Sequence, residues 1–298
     1  MNDAVTIAIP TFNRGHILVD TLDLLLNLRH RADEILVVDQ TPSYSADIEN
    51  RLASHAQNGD IRWIRLSRPS VPHAMNEALR LAVNPIVLFV DDDVQPASDL
   101  AENHKRAYSD EIWAVVGQVL QPGEEVQHFD AEALHRGLIR DLEFRFNHDS
   151  TEEVENVIAC NLSVRRDKAL KIGGFDENFL GAAYRFETDF ARRVVEAGGR
   201  IRFEPRARLA HLHIPTGGIR SHGDYRKSAN AAHSAGDYYF ALCHIRPFWP
   251  YALQRFRRNV LTRWLLTHPW YLFHRLIAEI RGYTLARTMY RRGRRLLE

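Results

Sequence analysis

Four apolar runs within the first ninety residues constrain the fold of this chain more than any other feature. They read "AVTIAIP", "DEILVVDQT", "DIRWIRLS" and "PIVLFVD". Between them lie "HILVDTLDLLLNLR", "SADIENRLASHA" and "PHAMNEALRLAV", whose apolar residues recur at helical spacing; Asn84-Pro85 stops the last of these. A strand that is apolar on both sides needs cover on both faces. Alternation with helices therefore predicts an α/β fold built on a mostly parallel sheet with helices on both faces. In such sheets ligands bind at the carboxyl ends of the strands. Thr11, Asn13, Asp39, Asp91, Asp92 and Asp93 all fall at such ends.

Further along, "AVVGQVLQP" reads as a strand, and the polar segment from Gly123 to Glu155 reads as a mobile loop. "NVIACNLSVRRDKALKIGGFDENFLG" predicts a strand, a short helix and a glycine turn. "ETDFARRVVEAGGRIRFEP" predicts a helix closed by Gly198 and Gly199, then another strand. After "RLAHLHIP" the pattern turns helical, aromatic and arginine-rich. We expect two parts, a catalytic domain over 1–220 and a basic helical extension over 221–298.

Charge supports that division. From His244 onward twelve arginines face only Glu279 and Glu298, leaving +10 in a chain whose net charge is +1, so the remainder carries −9. Such asymmetry suggests an extension with its own partner. The 45% hydrophobic and 26% charged fractions are those of a soluble globular protein. Cys160 and Cys243 make neither a disulfide framework nor a zinc-ligand spacing, which points to a reducing compartment. With no basic leader ahead of an apolar core, and no apolar run long enough to span a bilayer, the expected location is the cytoplasm.

"IVLFVDDDVQP" sets three carboxylates at a strand end, where their mutual repulsion asks for a cation. Hard divalent ions such as Mg2+ and Mn2+ favour carboxylate oxygens and leave positions open for phosphate. A solvated acidic turn is the bland reading of the triplet. Asp39 can accept hydrogen bonds from a ribose or base, or simply form a turn before Pro42. Thr11, Asn13 and Arg14 occupy the first strand-to-helix turn, with Arg14 a partner for phosphate. The glycine fingerprint of dinucleotide binding does not follow this strand, which argues against a nicotinamide enzyme. Glu187 and Asp189 open a helix whose dipole favours ionised carboxylates, so either is a general-base candidate or a helix-start charge. "HLH" puts His211 and His213 on one strand face as metal or phosphate ligands, or as structural histidines.

These segments in this order resemble the family-2 glycosyltransferases. The likeness runs from about Val5 to Pro215 through "VTIAIPTFNR", "EILVVDQT", "HAMNEAL", "IVLFVDDDVQP", "NLSVRRDKALKIGGFDENFLG" and "ETDFARRVVEAGGRI". The resemblance implies the GT-A fold, a nucleotide-diphosphate sugar donor with uridine diphosphate sugars favoured, Mn2+ or Mg2+, and transfer with inversion. By that likeness Pro10, Thr11, Asn13 and Asp39 line the nucleoside pocket, which leaves Arg14 of the same turn for the phosphates. Asp91 and Asp92 meet ribose or metal water, and Asp93 is the principal metal ligand; Asp91 and, from the "HLH" strand rather than the likeness, His211 are the further candidates. Glu187 takes the place of the catalytic carboxylate and Asp189 is the second candidate. The family's usual Glu-Asp pair here reads Phe186-Glu187, and Met75 stands where relatives often carry arginine, just before Asn76.

Asn161, Gly181 and Tyr184 are candidates for the acceptor site, against the alternative that "GGFDENF" simply packs Phe175 and Phe179 into the core. The acceptor expected is a glycan or lipid-linked sugar, and the extension is suited to an anionic membrane surface on the inner face of the cell membrane. Packing against the catalytic domain or a second subunit is the other reading of the extension. No nucleic-acid module is recognisable. A nucleotidyltransferase acting on sugar phosphates and a non-catalytic sugar-nucleotide-binding protein are the rival functions.

Overall fold

The computed structural model describes residues 4–128, 142, 144–181, 183–219 and 225–298. Among the described residues nine strands form one sheet. They are β1 (Val5–Thr11), β2 (Glu34–Asp39), β3 (Arg62–Arg65), β4 (Ile86–Val90), β5 (Val94–Pro96), β6 (Ile112–Leu120), β7 (Glu152–Glu153), β8 (Asn161–Arg165) and β9 (Arg200–His211). Their order is β3-β2-β1-β4-β8-β6-β9-β5, with β7 on β9. The four strands β3-β2-β1-β4 are all parallel. β8 then runs antiparallel to both β4 and β6, and β9 is parallel to β6.

Residue alternation explains why the first four strands look continuously apolar. Ile7, Ile9, Ile35, Val37, Leu88 and Val90 share one core with Leu18 and Leu22 of α1 (His16–Leu26) and with Ile48 and Leu52 of α2 (Ala46–Gln57). Their neighbours Ala8, Leu36, Val38, Val87 and Phe89 share the other with Ala74, Ala78 and Leu79 of α3 (Val71–Leu81). Each face is covered, so neither half of the alternation is free to be polar. Strand order reverses between β1 and β4, which opens a crevice at their carboxyl ends.

The second half of the sheet is pinned by buried polar groups. His104, fully buried, contacts Ser163 Oγ and Asn161 Oδ1, each at 2.9 Å. Asn161 Nδ2 in turn donates to the carbonyls of Gln118 (3.0 Å) and Ala207 (2.8 Å). The β6–β9 register jumps here, from Gly117 opposite Glu204 to Gln118 opposite Arg208. A Cβ on Gly117 would lie 1.9 Å from the Ala207 carbonyl oxygen, so only glycine allows this close approach.

The C-terminal helices close back on this body. The helix Ala232–His244 places Tyr238, Tyr239 and Phe240 in the same core as α3 and β4. Tyr239 donates to Asp176 Oδ2 at 2.7 Å, and Phe175 and Phe179 are buried, the packing alternative for that turn. Beyond the helix Leu272–Arg292, the Leu297 N–H bonds the Gly173 carbonyl at 2.8 Å and Leu296 and Leu297 cover Gly173 and Gly174. The expected boundary between residues 220 and 221 lies outside the described residues, as does the 129–141 portion of the expected loop. The extension's charge is partly internal. Arg255 and Arg275 are buried, and Asp237 and Glu279 neutralise them.

Candidate active site

A cavity of about 340 Å3 occupies the crevice at the ends of β1 and β4. β1 delivers Pro10 and Thr11, and the turn into α1 passes through positive φ at Asn13 (55°) and Gly15 (54°), placing Arg14 over the cavity. β4 ends in Asp91, Asp92 and Asp93, all three in its wall.

The aspartates are neutralised from two sides. Arg14 Nε lies 3.0 Å from Asp92 and its Nη2 lies 3.1 Å from Asp93. His211, at the end of β9, lies 3.3 Å from Asp91 and 3.1 Å from Asp93, with Nδ1 at 3.1 Å from Gln121. Burial pushes the Asp92 carboxyl up to about 7, against the pull of Arg14 and Thr11. Burial acts the same way on Asp93, but His211, Arg14 and the Ile214 N–H outweigh it and hold that group below the usual carboxylate range. Burial disfavours charge on His211, yet its two carboxylates raise it to about 9.

Ligand atoms of Asp91, Asp93 and His211 all lie within 4.8 Å of one another. Two carboxylates and an imidazole form a donor set that fits a divalent cation such as Mn2+ or Mg2+. Arg14 also donates to the carbonyls of Ile214 (2.8 Å) and Thr216 (2.7 Å), so it ties the aspartates to the 214–218 loop. Gly217 needs its φ of +75°, and a Cβ there would stand 2.1 Å from the Asn13 carbonyl oxygen.

The two carboxylates at the Phe186–Glu196 helix start are separated by their surroundings. Glu187 lines the cavity. Asp189 is fully buried and bonds Arg193 (2.8 Å), His244 (2.8 Å) and Arg294 (3.0 Å). Burial opposes its ionisation, but His244 and the two arginines hold it below the ordinary range.

Several other candidates stand outside the cavity wall. Asp39 sits behind it, accepting from the Thr41 N–H (2.8 Å) and Trp63 Nε1 (2.9 Å). Asn13 is exposed, its N–H bonded to Thr41 Oγ1. Asn161 is spent on the β6–β9 joint described above, and Gly181 is exposed beside Ala232. Tyr184 stacks on His233 at 3.9 Å in a different, smaller cavity. His213 leaves the strand at φ 51° and meets His211 edge-on at 4.4 Å, so the two do not share a strand face. Met75 does line the cavity, and Asn76 ties α3 to the glycine turn through the Phe175 carbonyl and N–H. Gln40, Gln121 and the 214–218 loop had no place in the sequence reading. The Pro215…Gly217-Gly218 cluster directly after a strand was the available signal for the loop.

The model of the family described as glycosyl transferase family 2 matches residues 6–173, more than half of the chain. This chain belongs to glycosyl transferase family 2. Two curated relatives, each a pre-mycofactocin glycosyltransferase of Mycobacterium tuberculosis (strains CDC 1551 and H37Rv), are 30% identical over 217 residues. That alignment covers 70% of this family 2 chain and 43% of either relative, so the chain spans less than half the length of the relatives it matches. Mannosyltransferase PcManGT from Pyrobaculum calidifontis, solved in complex with GDP-Man and Mn2+, superposes with a TM-score of 0.55 at 19% identity, over 97% of this chain and 79% of that one. GalNAc-T7, solved with UDP, GalNAc and Mn2+, gives 0.58 at 12% identity over 86% and 54%. TarS of S. aureus gives 0.54 at 14% over 82% and 40%. The fold shared with these structures is GT-A.

Proposed function

We propose that this chain moves a sugar from a nucleotide-diphosphate sugar to an acceptor hydroxyl by a single inverting displacement. The observation that carries the reading is that Glu187 and the Asp91–Asp93–His211 cluster line one cavity. Glu187 accepts the proton of the acceptor hydroxyl as that oxygen bonds the anomeric carbon and the bond to the diphosphate breaks. A divalent cation held by Asp91, Asp93 and His211 would offset the negative charge of the departing diphosphate. Arg14 adds a fixed positive charge beside Asp92 and Asp93, and Pro10, Thr11 and Gln40 form the wall for the nucleoside, with Asp39 behind it. Alignment and electrostatics at these groups supply most of the acceleration. Incubating uridine, guanosine and thymidine diphosphate sugars with Mn2+ tests this. Release of nucleoside diphosphate supports transfer, pyrophosphate would indicate a nucleotidyltransferase, and no turnover at all would leave a binder.

A second reading, that the C-terminal helices rest on an anionic membrane, is favoured by where apolar surface is exposed. Nine of the fourteen exposed large hydrophobic residues among those described follow residue 244, including Trp249, Leu266, Trp270 and Phe273. Arg257, Arg258 and Arg281 are exposed in the same helices. No described helix is long and apolar enough to cross a membrane, so the contact would be interfacial. Co-sedimentation with vesicles containing anionic phospholipid, lost in Trp249→Ser/Trp270→Ser, is the expected result. Retention of binding would remove this reading, and a change of oligomeric state instead would assign the surface to a second copy.

A further inference from the structure

A second cavity, of about 60 Å3, opens beside the start of the Phe186–Glu196 helix. Its lining includes Tyr184, Arg185, His233, Asp237, Arg255 and Arg258. Nucleotide and cofactor pockets need several hundred Å3, so this one has room for a small group only. Three arginines against the single Asp237 leave the lining net cationic, and one cation is incompletely used. Arg255 is 4% exposed; its Nε bonds Asp237 at 2.5 Å and its Nη1 bonds Glu279. Its Nη2 is buried with no hydrogen-bond partner among the described residues.

The nearby acids have little capacity left to satisfy it. Asp237 also takes Arg185 (3.2 Å) and Tyr251 (2.8 Å), while Glu279 takes Arg275 (3.0 Å), Tyr238 (2.8 Å) and Ser234 (2.9 Å). A buried guanidinium N–H left unmade is costly, and an oxyanion is the group that answers it best.

We propose that this pocket binds a phosphate group, and that in the transfer reaction the phosphate belongs to the acceptor. The second part rests on the proposed glycosyltransferase reading. Arg185 and Tyr184 stand two and three residues before Glu187, so their backbone lies within about 10 Å of the backbone that carries the base, and the pocket and Glu187 share one end of the same helix. Burial and Arg255 hold His233 down to about 4, so it adds no charge of its own to the pocket at physiological pH.

Calorimetric titration of the full chain with inorganic phosphate, glucose 1-phosphate and glucose tests the site. Both phosphates should bind and glucose should not. Arg255→Gln and Arg258→Ala should each weaken phosphate by about tenfold or more. Arg258 is exposed, so its variant keeps the test standing if Arg255→Gln does not fold. Unchanged phosphate affinity in folded Arg258→Ala would overturn the site. For the acceptor, phosphorylated monosaccharides should accelerate donor turnover more than their unphosphorylated forms. Equal turnover would overturn the acceptor assignment while leaving the site. Absence of any nucleotide-sugar turnover would overturn the glycosyltransferase reading, and the acceptor assignment with it, while calorimetry still reads phosphate binding independently.

Discussion

Glu187 and Asp189, with only Thr188 between them at the same helix start, meet opposite environments. Glu187 opens onto the cavity, whereas Asp189 is sealed from solvent by Arg193, His244 and Arg294. One carboxylate can exchange protons with a substrate; the other is committed to three donors.

Glu187→Gln should lower transfer by about 100- to 10,000-fold, the usual worth of a positioned base. Donor binding and melting temperature should stay close to the parent. Initial rates and calorimetry on the same preparation check both halves, and full activity would remove Glu187 from the chemistry.

Asp189→Asn should cost stability, roughly 3–5 kcal/mol, because it strands buried cationic partners. Chemical denaturation reads this directly. The depressed carboxyl gives the sign in acid. Its contribution is present above the ordinary value of 3.8 and lost as pH falls through the lower folded value.

His104 sets a second pH dependence. Full burial drops it to about 4 from 6.5, so the unfolded chain takes up a proton that the folded chain refuses. Stability is fully present above pH 6.5 and declines down to about pH 4, by roughly 3 kcal/mol. The slope of unfolding free energy across that window should flatten in His104→Gln.

Arg14→Met should melt several degrees lower without metal, since Asp92 and Asp93 lose their guanidinium. Added Mn2+ should then raise the melting temperature by more than it does in the parent, because the ion no longer competes with an arginine. A smaller increment would show that Arg14 assists the ion rather than standing in for it.

Gly217→Ala should displace the 214–218 loop, given a Cβ 2.1 Å from the Asn13 carbonyl oxygen and a φ of +75°. About tenfold weaker donor KM, with little change in the far-ultraviolet spectrum, is the expected outcome.

The half of the fold that was legible in the sequence is the half with local causes. β1 to β4 announce themselves because both faces are buried and the apolar runs have no gaps. The three-residue β5 has too few residues for any period, and the full length of β9 was hidden. Pro205 divides "RIRFEP" from "RLAHLH", and the bulge that joins them depends on Gly117 and Asn161 from other strands. The same limit governs the site. Asp91, Asp93 and Glu187 stand out in the sequence by their carboxylates, and all three line one cavity. Asn161 and Tyr184 were placed at the acceptor site by position alone, and their partners, His104 for one and His233 for the other, lie too far along the chain to be read from the sequence. Arg14 was found as a cation but not as the partner of the aspartates, since that pairing spans 78 and 79 residues.

Arg294 reaches Asp189 across 105 positions, and that distance has a price during synthesis. On the ribosome, the segment bearing Glu187 leaves the exit tunnel long before residue 294 does. Until then Asp189 has an incomplete set of counter-charges and the Gly173-Gly174 turn lies uncovered. The nascent polypeptide therefore carries an incompletely compensated buried carboxylate through the elongation of those 105 positions.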